Sequence, residues 1–239
     1  VTATDQRRAG VALVSGAGSG IGRAVALELA RRGHRLALLG RTGAKLSATL
    51  EAAGTDGRTF EIDVRDAAAV AAAVARVERE LGPVELAVPA AGVAAVERFE
   101  RLAAADFDRV VEVNLLGAAN LLRASLPGML ERERGTLVAI LSVASRTAFP
   151  GWSAYAASKW GLLGLVESLR VDLAGSGVRV LALTPGATAS PLWDGVPGEW
   201  DRSRMIPADE VARALGYALD AGASVAVEEI KLRPSGGDL

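Results

Sequence analysis

Tyr155 and Lys159 stand four residues apart in Ser153-Ala154-Tyr155-Ala156-Ala157-Ser158-Lys159. If this segment is helical, that spacing puts both side chains on one face. A free phenol has a pKa near 10 and is a poor proton donor or acceptor at neutral pH. A neighbouring ammonium favours the phenolate and lowers that value. The phenol could then protonate a carbonyl oxygen, or deprotonate an alcohol, while hydride moves at the adjacent carbon. The chain has three lysines (Lys45, Lys159 and Lys231) and two tyrosines (Tyr155 and Tyr217); its other strongly basic side chains are arginines. Arginine would be a poor substitute for a compact ammonium held near a phenol and a ribose. Ser142 closes the apolar run Leu137-Val138-Ala139-Ile140-Leu141. Its hydroxyl could hold the reacting oxygen, or it could simply cap a turn. Asn114 sits inside the apolar stretch Val113-Asn114-Leu115-Leu116. A buried amide needs partners, so it could fix a water or tie two elements together.

A second constellation lies near the start of the chain. Ser15-Gly16-Ala17-Gly18-Ser19-Gly20-Ile21-Gly22 ends a short apolar run and opens into a segment of helical period. Glycines there let the chain turn sharply and let backbone N–H groups approach a pyrophosphate, with the helix N-terminus adding partial positive charge. A site for NAD would place Asp or Glu at the end of the next strand, about 20 residues on, to bond the ribose 2′-hydroxyl. This chain has Leu38-Leu39-Gly40-Arg41-Thr42 instead. Arg41 could pair with a 2′-phosphate through charge-assisted bonds, which favours NADP(H) over NAD(H).

The elements that must position these groups are legible as alternation. Short apolar runs occur at Val11–Ser15, Arg35–Leu39, Thr59–Val64, Glu85–Ala90, Thr136–Ser142, Val178–Thr184 and Val227–Arg233. Between most of them lie stretches of helical period. Ile21, Val25 and Leu29 lead to a glycine stop at Gly33, and Val70, Val74, Val77 and Leu81 lead to Gly82-Pro83. Such runs joined by right-handed crossovers imply a doubly wound, mainly parallel α/β sheet buried on both faces. Ser190–Ile206 breaks the rhythm with Pro191, Gly195, Pro197 and Gly198 beside Trp193 and Trp200, and reads as a lid.

With 239 residues, one α/β domain is expected over 1–239. The formal net charge of −1 gives no basic field for nucleic acid or an anionic membrane. No apolar stretch is long enough to span a bilayer, and the polar start of the chain does not read as a signal peptide. Cysteine is absent, so disulfides and thiol chemistry are excluded; His34 is the single histidine and reads as a helix-end neighbour. A cytoplasmic protein is the expectation.

On these residues the chain resembles the classical short-chain dehydrogenase/reductase family, over essentially its whole length. The resemblance rests on Gly16, Gly20 and Gly22 in the turn, Asp63 in Ile62-Asp63-Val64, the set Asn114, Ser142, Tyr155 and Lys159, and Thr184-Pro185-Gly186. It implies a Rossmann-type domain with strand order 3-2-1-4-5-6-7. Tyr155 would be the general acid/base, Lys159 the ribose ligand that tunes it, Ser142 the holder of the substrate oxygen and Asn114 the anchor of a water. Gly16, Ser19, Gly20, Ile21, Gly22, Arg41, Asp63, Val64, Ala91, Gly92, Tyr155, Lys159, Pro185, Gly186, Thr188 and Ser190 would contact NADP(H). The resemblance also implies a small alcohol or ketone substrate and a homo-oligomer, a tetramer or dimer. Two departures stand out: Pro89-Ala90-Ala91-Gly92 where the family has Asn-Asn-Ala-Gly, and Ser190 for its usual Thr. The first leaves a rival reading, a catalytically silent NAD(P)-binding sensor or scaffold of the same fold. The tail Val227–Pro234 resembles members acting on small hydroxy acids and related alcohols. Phe149, Trp152, Trp193 and Trp200 could line an apolar pocket, pack in the core or meet another subunit.

Overall fold

The computed structural model describes residues 10–222 and 225–237. The polar segment before residue 10, read above as carrying no export signal, lies outside them. Seven strands form one sheet in the order β3-β2-β1-β4-β5-β6-β7, with every recorded pair parallel. They are β1 (Val11–Ser15), β2 (Arg35–Gly40), β3 (Gly57–Glu61), β4 (Val84–Pro89), β5 (Gly135–Ile140), β6 (Val178–Pro185) and β7 (Glu229–Leu232). This is the expected order.

The alternation of side chains across each strand explains the two cores. In β1, Val11 and Leu13 enter one apolar cluster and Ala12 and Val14 the other. All four are fully buried, as a strand covered on both faces requires. The first cluster packs under α3 (Ala67–Glu80), α5 (Gly117–Glu131) and α6 (Ser153–Asp172), through residues such as Val74, Leu121 and Leu162. The second packs under α1 (Gly20–Arg31), α2 (Gly43–Ala53) and α7 (Ala208–Leu219), through Val25, Leu46 and Val211. The short α4 (Ala104–Val111) leads without a break into a π-helical turn, Glu112–Leu116, and on into α5.

Local signals account for the helix ends. Gly33 follows α1 with φ +86°, and Gly82 follows α3 with φ +105°, conformations that glycine adopts at little cost. Asp66 caps α3, accepting from the Ala69 amide at 2.9 Å. Among the described residues no helix is long and apolar enough to cross a membrane, and no His/Cys/Asp/Glu group could hold a metal ion.

Candidate active site

The C-terminal ends of the strands and the loops that follow them enclose a cleft of about 400 Å³. This is where ligands bind in open α/β sheets, and the strand order changes direction there at β1 and β4. His34, by contrast, sits at the opposite edge, just before β2, with its ring Nδ1 3.1 Å from the Gly10 carbonyl oxygen.

The glycine turn forms one wall. Gly16 has φ +65° and Gly20 has φ +51°. A Cβ on Gly16 would stand 2.7 Å from the Ala91 backbone, and one on Gly22 would stand 2.4 Å from the Gly16 carbonyl oxygen. The turn is therefore closed against both the loop after β4 and its own helix, and any side chain at these points would displace backbone. Ser19 precedes α1 in extended conformation without bonding the helix through its hydroxyl, and the first turn of α1 carries no acid. Its leading N–H groups and partial positive charge face the cleft. Thr49 on α2, fully buried, donates to the Ala17 carbonyl oxygen at 3.0 Å and holds the turn from outside. These features fit a bound pyrophosphate: an acid-free helix end behind a turn stripped of side chains.

Arg41, at the end of β2, lines the cleft, as do Asp63 and Val64 after β3. Lys45, in the first turn of α2, joins Arg41 there, a second cation that the Gly40-Arg41 reading overlooked. The Asp63 carboxylate is held by Arg65 at 2.8 Å, and Arg65 also reaches Glu112 at 3.2 Å. The Arg65 bond is the main reason the Asp63 carboxyl lies below the usual carboxylate range, with a smaller contribution from the charge of Arg41.

At the other end, Ser142, Tyr155 and Lys159 face the same cleft. The Lys159 Nζ lies 5.6 Å from the centre of the Tyr155 ring, so the four-residue spacing does put them on one side of α6. That ammonium is buried and donates to the Ile140 carbonyl oxygen at 2.7 Å. Burial pushes its pKa down to about 8. For Tyr155, burial raises the pKa, and a hydrogen bond with Ser142 works against the rise. The Lys159 ammonium stands beside the ring, but burial and not its charge sets the direction of the Tyr155 shift, which is upward rather than downward. Desolvation outweighs every other influence on Tyr155, and the opposing one comes from the Ser142 hydroxyl. Ser142 Oγ in turn accepts from the Ala144 amide at 3.1 Å.

Asn114 is brought to the site but does not line it. Fully buried, it donates from Nδ2 to the Val93 carbonyl oxygen at 2.9 Å and to Ser158 Oγ at 3.1 Å, and its Oδ1 accepts from the Val93 amide at 2.9 Å. Of the two roles left open for it, tying elements together is the one these bonds perform. Asn114 belongs to the π-helical turn, where Gly117 N–H reaches back to the Glu112 carbonyl oxygen. Such turns recur at functional positions because they shift side chains out of helical register. Two serines without assigned partners in the sequence acquire them here. Ser158 Oγ donates to the Tyr155 carbonyl oxygen at 2.7 Å, and Ser145 Oγ donates to the Ser142 carbonyl oxygen at 2.5 Å. Each lies three residues after the group it braces, a spacing typical of local side-chain-to-backbone bonds.

The departure at Pro89–Gly92 is accommodated. Pro89 ends β4 opposite Ser15, where it has no amide to offer. The following loop is held instead by Ser15 Oγ, which accepts from the Ala91 amide at 3.3 Å, and by the paired Asn114–Val93 bonds. Ala91 and Gly92 line the cleft, as do Pro185 at the end of β6 and Gly186, Thr188 and Ser190 beyond it. The segment from 190 to 206 carries two short 3₁₀ turns, Pro191–Gly195 and Arg202–Arg204. It is anchored by buried Val196, Met205 and Ile206, and by the Ala189 amide donating to Ile206 O at 2.9 Å. Phe149, Trp152, Trp193 and Trp200 all line the cleft. Their rings run outward from the phenol: Trp152 lies 5.3 Å from Tyr155, Trp193 5.7 Å from Trp152 and Trp200 4.9 Å from Trp193, between ring centroids.

Comparison with known proteins agrees with this geometry. Residues 10–199 match the family model described as short chain dehydrogenase. A sepiapterin reductase of Chlorobaculum tepidum is 35% identical over 239 residues, covering 96% of this chain and 98% of the relative. A glycine betaine reductase of Emericella nidulans is 38% identical over 235 residues; the match covers 94% of this chain but only 18% of that protein's length. An alcohol dehydrogenase of Thermococcus sibiricus, solved with 5-hydroxy-NADP, superposes with a TM-score of 0.86 at 30% identity, covering 94% of this chain and 96% of the other.

Proposed function

The chain belongs to the short-chain dehydrogenase family, and from that premise we propose that it is an NADP(H)-dependent oxidoreductase interconverting a carbonyl and a secondary alcohol, with Tyr155 as general acid/base. The observation that carries this is the meeting of Ser142, Tyr155 and Lys159 in the same cleft as the glycine turn. Bound there, NADP(H) supplies or takes up hydride at the reacting carbon.

The remaining steps belong to this chain's own side chains. Ser142 and the Tyr155 phenol hold the substrate oxygen. Because burial keeps Tyr155 protonated at neutral pH, it is ready to donate to a carbonyl oxygen as the alcohol forms. The phenolate left behind is stabilised by the Ser142 hydroxyl and by the Lys159 ammonium, which is charged below a pH of about 8. Asn114 acts behind them by fixing the loop at Val93 and the helix at Ser158. The glycine turn and Ser19 receive the pyrophosphate. Asp63 and Val64 would hold the adenine end, and Pro185, Gly186, Thr188 and Ser190 the nicotinamide end, beside the 190–206 lid.

For the choice of NADP(H), the support is Arg41 with Lys45, two cations and no acid at the end of β2. The NADP analogue in the Thermococcus structure points the same way. The expected outcome for Arg41→Ala is a KM for NADPH raised about tenfold with that for NADH nearly unchanged, since one charge-assisted phosphate bond is removed. Equal effects on the two cofactors would remove Arg41 from this role.

The central test is direct. NADPH fluorescence should change on mixing with the protein, and Tyr155→Phe should keep that signal while losing about 10²-fold or more in turnover. Retained turnover would take the proton-transfer role away from Tyr155.

A further inference from the structure

Beyond the reaction type, the cleft carries information about what the substrate is made of. Its charged lining residues are Arg41, Lys45, Asp63 and Lys159. The first three stand at the β2 and β3 end, and the Lys159 ammonium is turned onto the Ile140 carbonyl oxygen. Around the outer face of Tyr155 the lining changes to Phe149, Trp152, Leu192, Trp193 and Trp200. Indole N–H groups are the obvious polar handles in such a wall, and two of them are already committed. Trp193 Nε1 donates to the Thr188 carbonyl oxygen and Trp200 Nε1 to the Pro197 carbonyl oxygen, each at 3.0 Å. What those two rings offer a ligand is therefore carbon surface. Their planes are steeply inclined to their neighbours, at 78°, 61° and 53° along the series from Tyr155 to Trp200.

We propose that the carbonyl substrate is an uncharged ketone bearing an aromatic or similarly flat apolar group, seated against Trp152, Trp193 and Trp200 with its oxygen at Ser142 and Tyr155. This rests on the oxidoreductase reading above and narrows it. A polyol would set most of its hydroxyls against ring carbon, a loss that polar-site discrimination shows to be large. A carboxylate would meet the negative faces of the rings and no arginine or lysine on this side of the phenol. A quaternary ammonium would gain from the ring faces, but no lining carboxylate lies there and the Lys159 charge sits 5.6 Å from the Tyr155 ring centre. The Val227–Pro234 tail stands behind the cleft, with the Leu232 carbonyl oxygen accepting from the Gly186 amide, and contributes no lining residue.

The experiment compares four probes with NADPH: acetophenone, dihydroxyacetone, pyruvate and trimethylammonio-acetaldehyde. The expected result is a kcat/KM for acetophenone at least about tenfold above each of the other three. Trp193→Ala should then lower the ratio of acetophenone to dihydroxyacetone by about tenfold, while Trp193→Phe restores most of it. Trp200→Leu gives the same reading should Trp193→Ala fold poorly. Preference for the polyol, the acid or the cation would overturn the proposal while leaving the oxidoreductase reading in place. So would an equal loss on all probes in the tryptophan variants. Failure to bind NADPH at all would instead bring down the oxidoreductase reading itself, and this proposal with it.

Discussion

Lys159 is held away from water, so its charge is a burden on the fold as well as an asset to the cleft. Its pKa is pushed down to about 8 against an ordinary value of 10.5. Between those two pH values the unfolded chain binds a proton that the folded protein has released, so the folded state gains stability as pH rises through the window. Below about 8 both states are protonated and the full cost of the buried ammonium is felt. The expected outcome is that urea unfolding of the native protein, measured relative to Lys159→Met, improves by on the order of 3 kcal/mol from pH 8 to 10.5. A constant difference across that range would mean that the ammonium is better solvated than its burial indicates. At this scale the sequence was informative about identity and poor about environment. Tyr155 and Lys159 announced themselves by spacing, because a helix converts a gap of four into a shared face. The direction of the Tyr155 shift did not, because it depends on how much water the finished cleft excludes. Ser145, Ser158 and Thr49 were silent for a related reason: their bonds go to backbone carbonyls, whose positions no side-chain motif records.

The elements around the cleft are held together by a small number of polar bonds, and Asn114 makes three of them. Through these it joins the π-helical turn, the loop after β4 and α6. Asn114→Ala would leave the Val93 amide and carbonyl and the Ser158 hydroxyl short of partners in a buried place. The predicted cost is about 3 kcal/mol in denaturant unfolding, the range for orphaning buried polar groups. Because the loop also backs the glycine turn, NADPH affinity should fall in the same variant; a variant as stable as the native protein would show that water replaces the amide. Strand positions were legible from the apolar runs, and interior boundaries agreed most closely: β1 was read without error. The sheet edges were read less well. β3 begins at Gly57 and ends at Glu61 rather than spanning 59–64, and β7 covers 229–232 within the expected 227–233. Edge strands pair on one side only, so the neighbour's length trims them, and that is a tertiary fact. The π-helical turn was invisible, since one inserted residue leaves an apolar stretch looking helical.

For the whole molecule, the strand order followed from right-handed crossovers and the family's pattern together, and the structure has it. What the sequence could not distribute was exposure. Trp160 is 52% exposed and Val171 77% exposed on α6, and helical geometry places residues eleven apart on nearly one line. Gly164, on the same stripe, has nothing within 4 Å of where a Cβ would stand. Glu167 and Ser168 are exposed between the two apolar side chains, so the face is mixed, and a large exposed tryptophan with a polar surround on a long helix suits a contact with a second copy of the chain. Light scattering of the native protein should give a dimer or tetramer mass, and Trp160→Glu should lower it. An unchanged mass would place any subunit contact elsewhere.

The position of β1 has a consequence for how the chain reaches its folded state. Val11 pairs with Arg35 on one side and with Val84 on the other. During synthesis the first strand is therefore complete long before its second neighbour exists, and it carries an edge of unpaired backbone N–H and C=O groups between two apolar faces through the interval. Parallel pairings across such separations form slowly and expose the nascent protein to sticking. A ribosome stalled anywhere before Val84 would present a half-sheet, a species suited to a chaperone's grip and prone to precipitate without one.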